Sequence, residues 1–212
     1  GVSGFIAQFA LSIVTLVFNH VCRVYGGNTA VAAYGVISTL FMLVYMPMIG
    51  LGQGIQPIVG FNYGSQLYPR VKETLLKAFK YATIFCVFMF LIFEIFSPQI
   101  VLAYGGADDP SLSAIAVTGM RIYGLMTAFV GMQMVGANFF QYIGKAKQSM
   151  FLSALRQVIL LIPLTLILPM CFKMTGVWAA TPLSDGISFV ITMVLVKKEI
   201  TVLNKATKID TK

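Results

Sequence analysis

An all-α, polytopic membrane protein built as a six-transmembrane-helix bundle is the fold class this sequence predicts, and three observations predict it. Apolar residues make up 58% of the chain, charged residues only 10%, and mean hydropathy is +0.86, whereas a soluble domain is roughly 25% charged. The 212 residues hold about six helices of roughly 20 residues each with short connections, leaving almost nothing for a water-soluble domain. The basic residues behind the net charge of +8 lie mainly between apolar runs. Loop charge sorted across a bilayer accounts for that excess, so no nucleic-acid partner is expected.

The first helix is expected over 3–21. Its polar members Gln8, Ser12, Thr15 and Asn19 recur at steps of four, three and four, sharing one helical face that should point into the protein. His20 and Arg23 follow, and Tyr25-Gly26-Gly27-Asn28 supplies a turn. A lone histidine at a helix end reads as an interfacial or capping group. The second helix, over 29–60, is too long for one straight crossing: about 30 residues rise about 45 Å against a hydrocarbon core of about 30 Å. Pro47 and Pro57 kink it, or it projects beyond the bilayer.

The third helix is expected over 72–96, opening with Lys72, Glu73, Lys77 and Lys80. Glu73 and Lys77 are spaced to pair across one turn, and Glu94 near the far end is placed to reach the headgroup zone. Residues 99–104 form a short apolar piece suited to a membrane surface, and Asp109-Pro110-Ser111 has the composition of a helix start. The fourth helix, over 112–143, carries Arg121 near its entrance and Gln133, Asn138 and Gln141 in its second half. Helix–helix hydrogen bonds are the ordinary use of such amides in lipid; lining a substrate cavity is the sharper one.

The fifth helix, over 148–171, carries Arg156 one to three turns inside its cytoplasmic end, close enough to snorkel or to bond backbone carbonyls of the neighbouring 50–72 stretch. The sixth, over 177–196, contains Trp178, Pro182, Ser184 and Asp185 and ends in Lys197-Lys198-Glu199. Residues 1–199 thus form one membrane lobe, and 200–212 a basic cytoplasmic tail expected to be mobile. Arg70, Lys72, Lys77, Lys80, Lys145, Lys147, Arg156, Lys197, Lys198, Lys205, Lys208 and Lys212 all fall toward one side, twelve of the fifteen basic residues. Arg23, Arg121 and Lys173 are left for the other. The positive-inside rule then puts the ends of the second, fourth and sixth helices in the cytoplasm, with the chain in the cell's inner (plasma) membrane.

Asp185 is the carboxylate that hydropathy places well inside a span. Such a charge costs at least about 2.5 to 3.5 kcal/mol on insertion scales, so it must be protonated, paired or facing water. A structural hydrogen bond and the coupling of a proton or sodium ion both fit. Cys22, Cys86 and Cys171 lie apart in or beside apolar runs, as small buried hydrophobes do, with neither disulfide nor metal spacing. No HExxH, intramembrane aspartate pair or Ser/His pairing is visible, so no catalytic residue, metal or cofactor is expected. The chain opens at Gly1 without an initiator methionine and reads as a fragment.

The most informative stretch is 50–72, GLGQGIQPIVGFNYGSQLYPRVK. Within an apolar run it sets Gln53, Gln56, Pro57 and Asn62 among Gly50, Gly52, Gly54 and Gly60, then turns through Asn62-Tyr63-Gly64-Ser65 into Arg70 and Lys72. A helix facing only lipid has no use for those residues. The pattern resembles the cytoplasmic end of the second helix in the C-terminal half of multidrug and toxic-compound extrusion (MATE) transporters. There a Gly-x-x-Gln-Gly-x-Gln-Pro element runs into Asn-Tyr-Gly; Gly50, Gln53, Gly54, Gln56, Pro57, Asn62, Tyr63 and Gly64 fill those places. Phe140-Gln141-x-x-Gly144-Lys145 is similar to another element of that family.

The resemblance implies one lobe of a twelve-helix secondary antiporter that exports lipophilic, often cationic compounds in exchange for H⁺ or Na⁺. Its partners would be an N-terminal six-helix lobe, the lipid bilayer and small-molecule drugs. Gln8, Asn19, Gln133 and Asn138 would line the substrate cavity, and Asp185 is the local candidate for ion coupling. Some branches of the family carry a glutamate in this lobe's first helix and an aspartate in its fourth. Neither 3–21 nor the interior of 112–143 has an acid, which leaves the essential carboxylate in the other lobe or at Asp185. A lipid-linked oligosaccharide flippase of the same superfamily and a non-transporting membrane scaffold are the alternatives. The isolated fragment is expected to be inactive.

Overall fold

The structure, a computed structural model, describes the backbone of residues 2–106 and 109–210 and the side chains of residues 9–104 and 109–206. Its helices form six rods packed into one bundle. Helical geometry runs unbroken over Val2–Gly64 except at Gly27, whose φ of 68° and ψ of −163° lie in a region open essentially to glycine alone. The chain reverses there. The Phe18 and Tyr34 rings stack at 4.9 Å, although sixteen residues along a straight helix would stand about 24 Å apart. This gives α1 (2–26) and α2 (28–64).

Helix α3 (Tyr68–Val101) begins with a proline in its first turn, where the missing N–H costs nothing. It ends in a π turn over Leu102–Gly106. The expected stop at Ser97-Pro98 does not occur, since Ser97 is fully buried and its Oγ accepts a 2.9 Å hydrogen bond from Arg121 Nε. Helix α4 (Pro110–Gly124) is capped as its opening residues predict: Asp109 Oδ1 accepts from the Ser111 and Leu112 amides at 2.9 and 3.2 Å. The Ser111 hydroxyl and these amides hold the exposed Asp109 carboxyl below its ordinary pKa.

The fourth expected helix is two. After Gly124 the chain bends by 50° into α5 (Thr127–Tyr142). Gly124 lies against the edge of Phe41, where a Cβ would sit a tight 3.2 Å from the ring, and glycine is a weak helix former. Helix α6 (Ala146–Ala154) passes through a π stretch, Leu155–Leu161, into α7 (162–172). A second reversal follows at Lys173, φ 51° and ψ −134°, and α8 (174–210) returns. Gly176 there packs on the backbone of Leu168 and Pro169 so closely that a Cβ would strike it.

Three apolar helical stretches and the bent α4–α5 pair are long enough to cross a membrane. Two of those stretches fold back on themselves, at Gly27 and Lys173, which yields the six rods. The core is an aromatic cluster in which Tyr34 stacks on Phe18, Tyr123 sets its edge against Phe18 and Phe41, and Phe41 packs on Phe93. Trp178, 1% exposed, fills the space left by Gly119. Helix α5 sits between α3 and α8 because its glycines let backbones approach: Gly131 faces Ala82 and Cys86, and Gly136 faces Thr192 and Val196. Exposed apolar side chains such as Leu16, Phe61, Phe88, Ile167 and Met170 form the surface offered to lipid.

Two expectations need correction at the ends of elements. The sixth helix does not stop near Val196 with a mobile tail beyond it; α8 continues to Asp210. Apolar spacing continues there after hydropathy falls, and Leu203 is buried. Lys145 Nζ meets both Glu199 carboxylate oxygens at 2.6 and 2.7 Å, and Lys72 donates to Asn204 at 3.4 Å. Of the three thiols, Cys22 and Cys86 are buried as expected, but Cys171 is exposed, on the outer face of α7 just before the reversal.

Candidate functional site: polar groups inside the bundle

Asp185 lies on the inward face of α8, in the same stripe as Thr181, Ser188 and Thr192, all buried. Steps of four, three and four residues keep that stripe on one side of the helix. Opposite it, the π stretch widens the helix between α6 and α7 by one residue per turn and aims Arg156 inward; such bulges often mark functional positions. Arg156 Nε donates to Asp185 Oδ1 at 2.6 Å, and the two side chains are 13% and 8% exposed. A second guanidinium nitrogen donates to the Tyr45 hydroxyl at 3.3 Å, with the guanidinium carbon 5.4 Å from the Tyr45 ring centre. The Ser184 hydroxyl donates to the Arg156 carbonyl at 2.6 Å, and this bond ties α8 to the π stretch a second time.

Of the three ways to hold a carboxylate in a span, Asp185 therefore uses pairing. The partner was the residue that sequence reasoning misplaced: Arg156, read as snorkelling or bonding backbone carbonyls of the 50–72 stretch, is folded into the bundle against Asp185. Its neighbour Tyr45 carried no sequence signal at all, because the contact joins positions 111 residues apart. The signal for Arg156 existed. One buried acid and one basic residue in consecutive apolar spans are each costly alone and tolerable together.

Of the four amides expected around a substrate cavity, the three whose side chains are described do not share one location. Gln133 is 2% exposed. It lies on the face of α5 that also carries Phe129, its ring tilted against Phe189, and Gly136, against Thr192. Asn138 is half-buried near Gly52 of α2, beside the Tyr142 hydroxyl. Asn19 is half-buried on α1, and the Gln8 side chain lies outside the described residues. A cavity of about 240 Å³ opens at the other end of the bundle, lined by Ala114, Ile115, Thr118, Met174, Thr175 and Trp178. Among the described side chains, neither Asn19 nor Gln133 nor Asn138 borders it.

The 50–72 stretch is not a turn at Asn62. Helix α2 runs on to Gly64, and the reversal falls at Ser65–Leu67, with Gln66 at φ 60°. Asn62 is buried and returns its amide to the Ile58 carbonyl at 2.7 Å, while Tyr63 sets its ring against Tyr68 at 5.8 Å. Gln53, Gln56 and Pro57 are exposed. No neighbour comes near Gly50 or Gly54, whereas Gly52 accepts Tyr142 and Asn138 and Gly60 approaches the Tyr142 carbonyl. The two stretches that carry the family resemblance, 50–64 and 138–145, thus pack on each other through Gly52.

Known proteins agree with this picture. The family model described as MatE matches residues 5–167. The multidrug export protein MepA of Staphylococcus haemolyticus is 26% identical over 187 residues, covering 84% of this chain and 38% of that protein. MepA of Staphylococcus aureus is 23% identical over 201 residues, covering 92% and 42%. Among solved structures, a MATE crystal structure in a bent conformation superposes with a TM-score of 0.90 at 19% identity, over 98% of this chain and 46% of that one. Outward-facing and inward-facing structures of a multidrug resistance MATE transporter each give 0.89 at 19% identity, over 97% of this chain. The chain thus spans about two-fifths of the length of the curated relatives it matches. Six apolar rods, a glycine and glutamine stretch in α2 and a model match across most of the sequence make this multi-pass membrane chain a member of the MatE family.

Proposed function

We propose that the chain is the C-terminal lobe of a secondary active multidrug efflux antiporter, exporting lipophilic, often cationic compounds in exchange for H⁺ or Na⁺. The observation that carries this reading is the exposed face of α2. Gln53 and Gln56 lie there in an otherwise apolar surface, with Gly50 and Gly54 open beside them. Uncharged amides facing hydrocarbon are costly, and glycines with nothing against them invite a second backbone. A companion six-helix lobe and a wet cleft between the two satisfy both. Relatives named multidrug export proteins support the cargo class.

On this reading Asn19 and Asn138, each half-buried, and the Gln8 face of α1 contribute polar contacts at the cleft, while Gln133 acts inside the lobe. Asp185 offers no uncompensated negative charge to a passing cation, because Arg156 already balances it, so the coupling acid lies outside this lobe. The C-terminus is cytoplasmic. Lys72, Lys145 and the 197–205 segment meet at one end through the Lys145–Glu199 and Lys72–Asn204 contacts, and a basic end faces the cytoplasm.

The test is ethidium efflux from vesicles holding the full-length protein, driven by a proton or sodium gradient. Export must collapse in Gln53→Leu/Gln56→Leu, must survive in Asp185→Asn/Arg156→Gln, and must be absent for residues 1–212 alone. Gradient-driven export by the lone chain would overturn the two-lobe reading.

A further inference from the structure

We propose that the seam between α5 and α8 is a water-binding site, in which Ser188, Thr192 and Gln133 hold ordered water one helical turn from the Arg156–Asp185 pair. Ser188 and Thr192 are each 0% exposed, and neither hydroxyl finds a protein hydrogen-bond partner. This is not the habit of hydroxyls in this chain. Thr15, Thr39, Thr74, Thr83, Thr165 and Thr201 all donate to the carbonyl four residues back at 2.7 to 3.0 Å. Leaving a buried hydroxyl unpaired forfeits the hydrogen bonds it makes in water, and two such groups adjoin on the same face of α8.

The opposite wall is polar too. Phe129 meets Phe189, and Gly136 meets the Thr192 methyl, Met193 and Val196, so α5 and α8 run in the same direction and Gln133, between those contacts, stands at the level of Thr192, one turn from that of Ser188. Its amide is 2% exposed and brings two donors and an acceptor oxygen. Two hydroxyls and one amide give a water the two to four partners it needs. The flexible Met193 side chain borders the seam at Gly136 and can yield space for it.

Water fits better than a cation. The three groups are neutral, and the nearest carboxylate, Asp185, is already held by a guanidinium at 2.6 Å, whose positive charge repels an incoming ion. Lipid is excluded by the burial of both hydroxyls. The consequence is a hydrated pocket at mid-bundle that connects to the intramembrane ion pair and softens its burial.

Water-edited solid-state NMR of the full-length protein in bilayers tests this without reference to transport. The Ser188 and Thr192 Cβ signals should receive water magnetisation about threefold faster, or more, than the dry core positions Val135 and Ala116. Thr192→Ser, which keeps the hydroxyl, should preserve the transfer at Ser188, and Thr192→Val should remove it. Transfer at Ser188 and Thr192 no faster than at Val135 would overturn the proposal, as would retention of fast transfer at Ser188 in Thr192→Val. Saturable shifts of the same signals on replacing choline chloride with sodium chloride would overturn it in favour of a bound cation.

Discussion

Arg156 and Asp185 make the strongest energetic statement at the level of single residues. Both side chains are largely withdrawn from solvent and share one 2.6 Å contact, so removing either leaves its partner as an unmatched buried charge. Arg156→Gln and Asp185→Asn alone should each destabilise the protein by about 3–5 kcal/mol, seen as a lower midpoint in thermal unfolding in detergent. The double variant should recover most of that loss, and a sum of the two single losses would show that the residues act independently. Gly52 makes a sterical statement of the same kind. A methyl there would sit 2.8 Å from the Tyr142 hydroxyl, so Gly52→Leu should separate the two family-like stretches and lower the amount of folded protein in gel-filtration traces.

Among the elements, the two reversals differ in a way that predicts opposite outcomes. Gly27 adopts a backbone suited to glycine, and Gly27→Ala should destabilise by about 1–3 kcal/mol through backbone strain alone, since no atom crowds the site. Lys173 occupies a positive φ of 51° with a side chain. Lys173→Gly should therefore raise the unfolding midpoint by the equivalent of about 1 kcal/mol; an unchanged or lower midpoint would mean the lysine side chain supplies a compensating contact. Asp109 acts at the mouth of α4. Its carboxyl is held below the usual range by Ser111 and the helix amides, so the cap contributes fully above the unfolded-state pKa of about 3.9 and is lost as pH falls through the lower folded value. Asp109→Ala should flatten that acid limb in a pH series of unfolding midpoints.

Across the whole molecule, the basic end is closed by α8. Its continuation past Lys198 carries Glu199, Leu203 and Asn204 to the turns at 65–72 and 143–146. A chain stopped after Lys198 loses all three contacts at once and should give a protein whose turns at that end are cleaved faster in limited proteolysis. Equal cleavage rates would show that those turns are held by their own packing.

Hydropathy determined by itself that this chain is an all-helical membrane bundle and which stretches between the apolar runs are basic, because the cost of exposing backbone and charge to hydrocarbon is a local property of each stretch. The polar and glycine spacing of 50–64 also pointed to the right family without coordinates. The Gly27 turn and the Asp109 cap were legible for the same reason, being built from neighbours in sequence. Tertiary structure alone decided the rest. That Arg156 turns inward to Asp185 and Tyr45, and that α8 outruns its apolar segment to reach Lys145, are contacts between residues 29 to 111 positions apart. No periodicity within one helix encodes which groove of another helix receives it; the close approaches at Gly52, Gly131, Gly136 and Gly176 set those distances, and through them which buried polar groups meet.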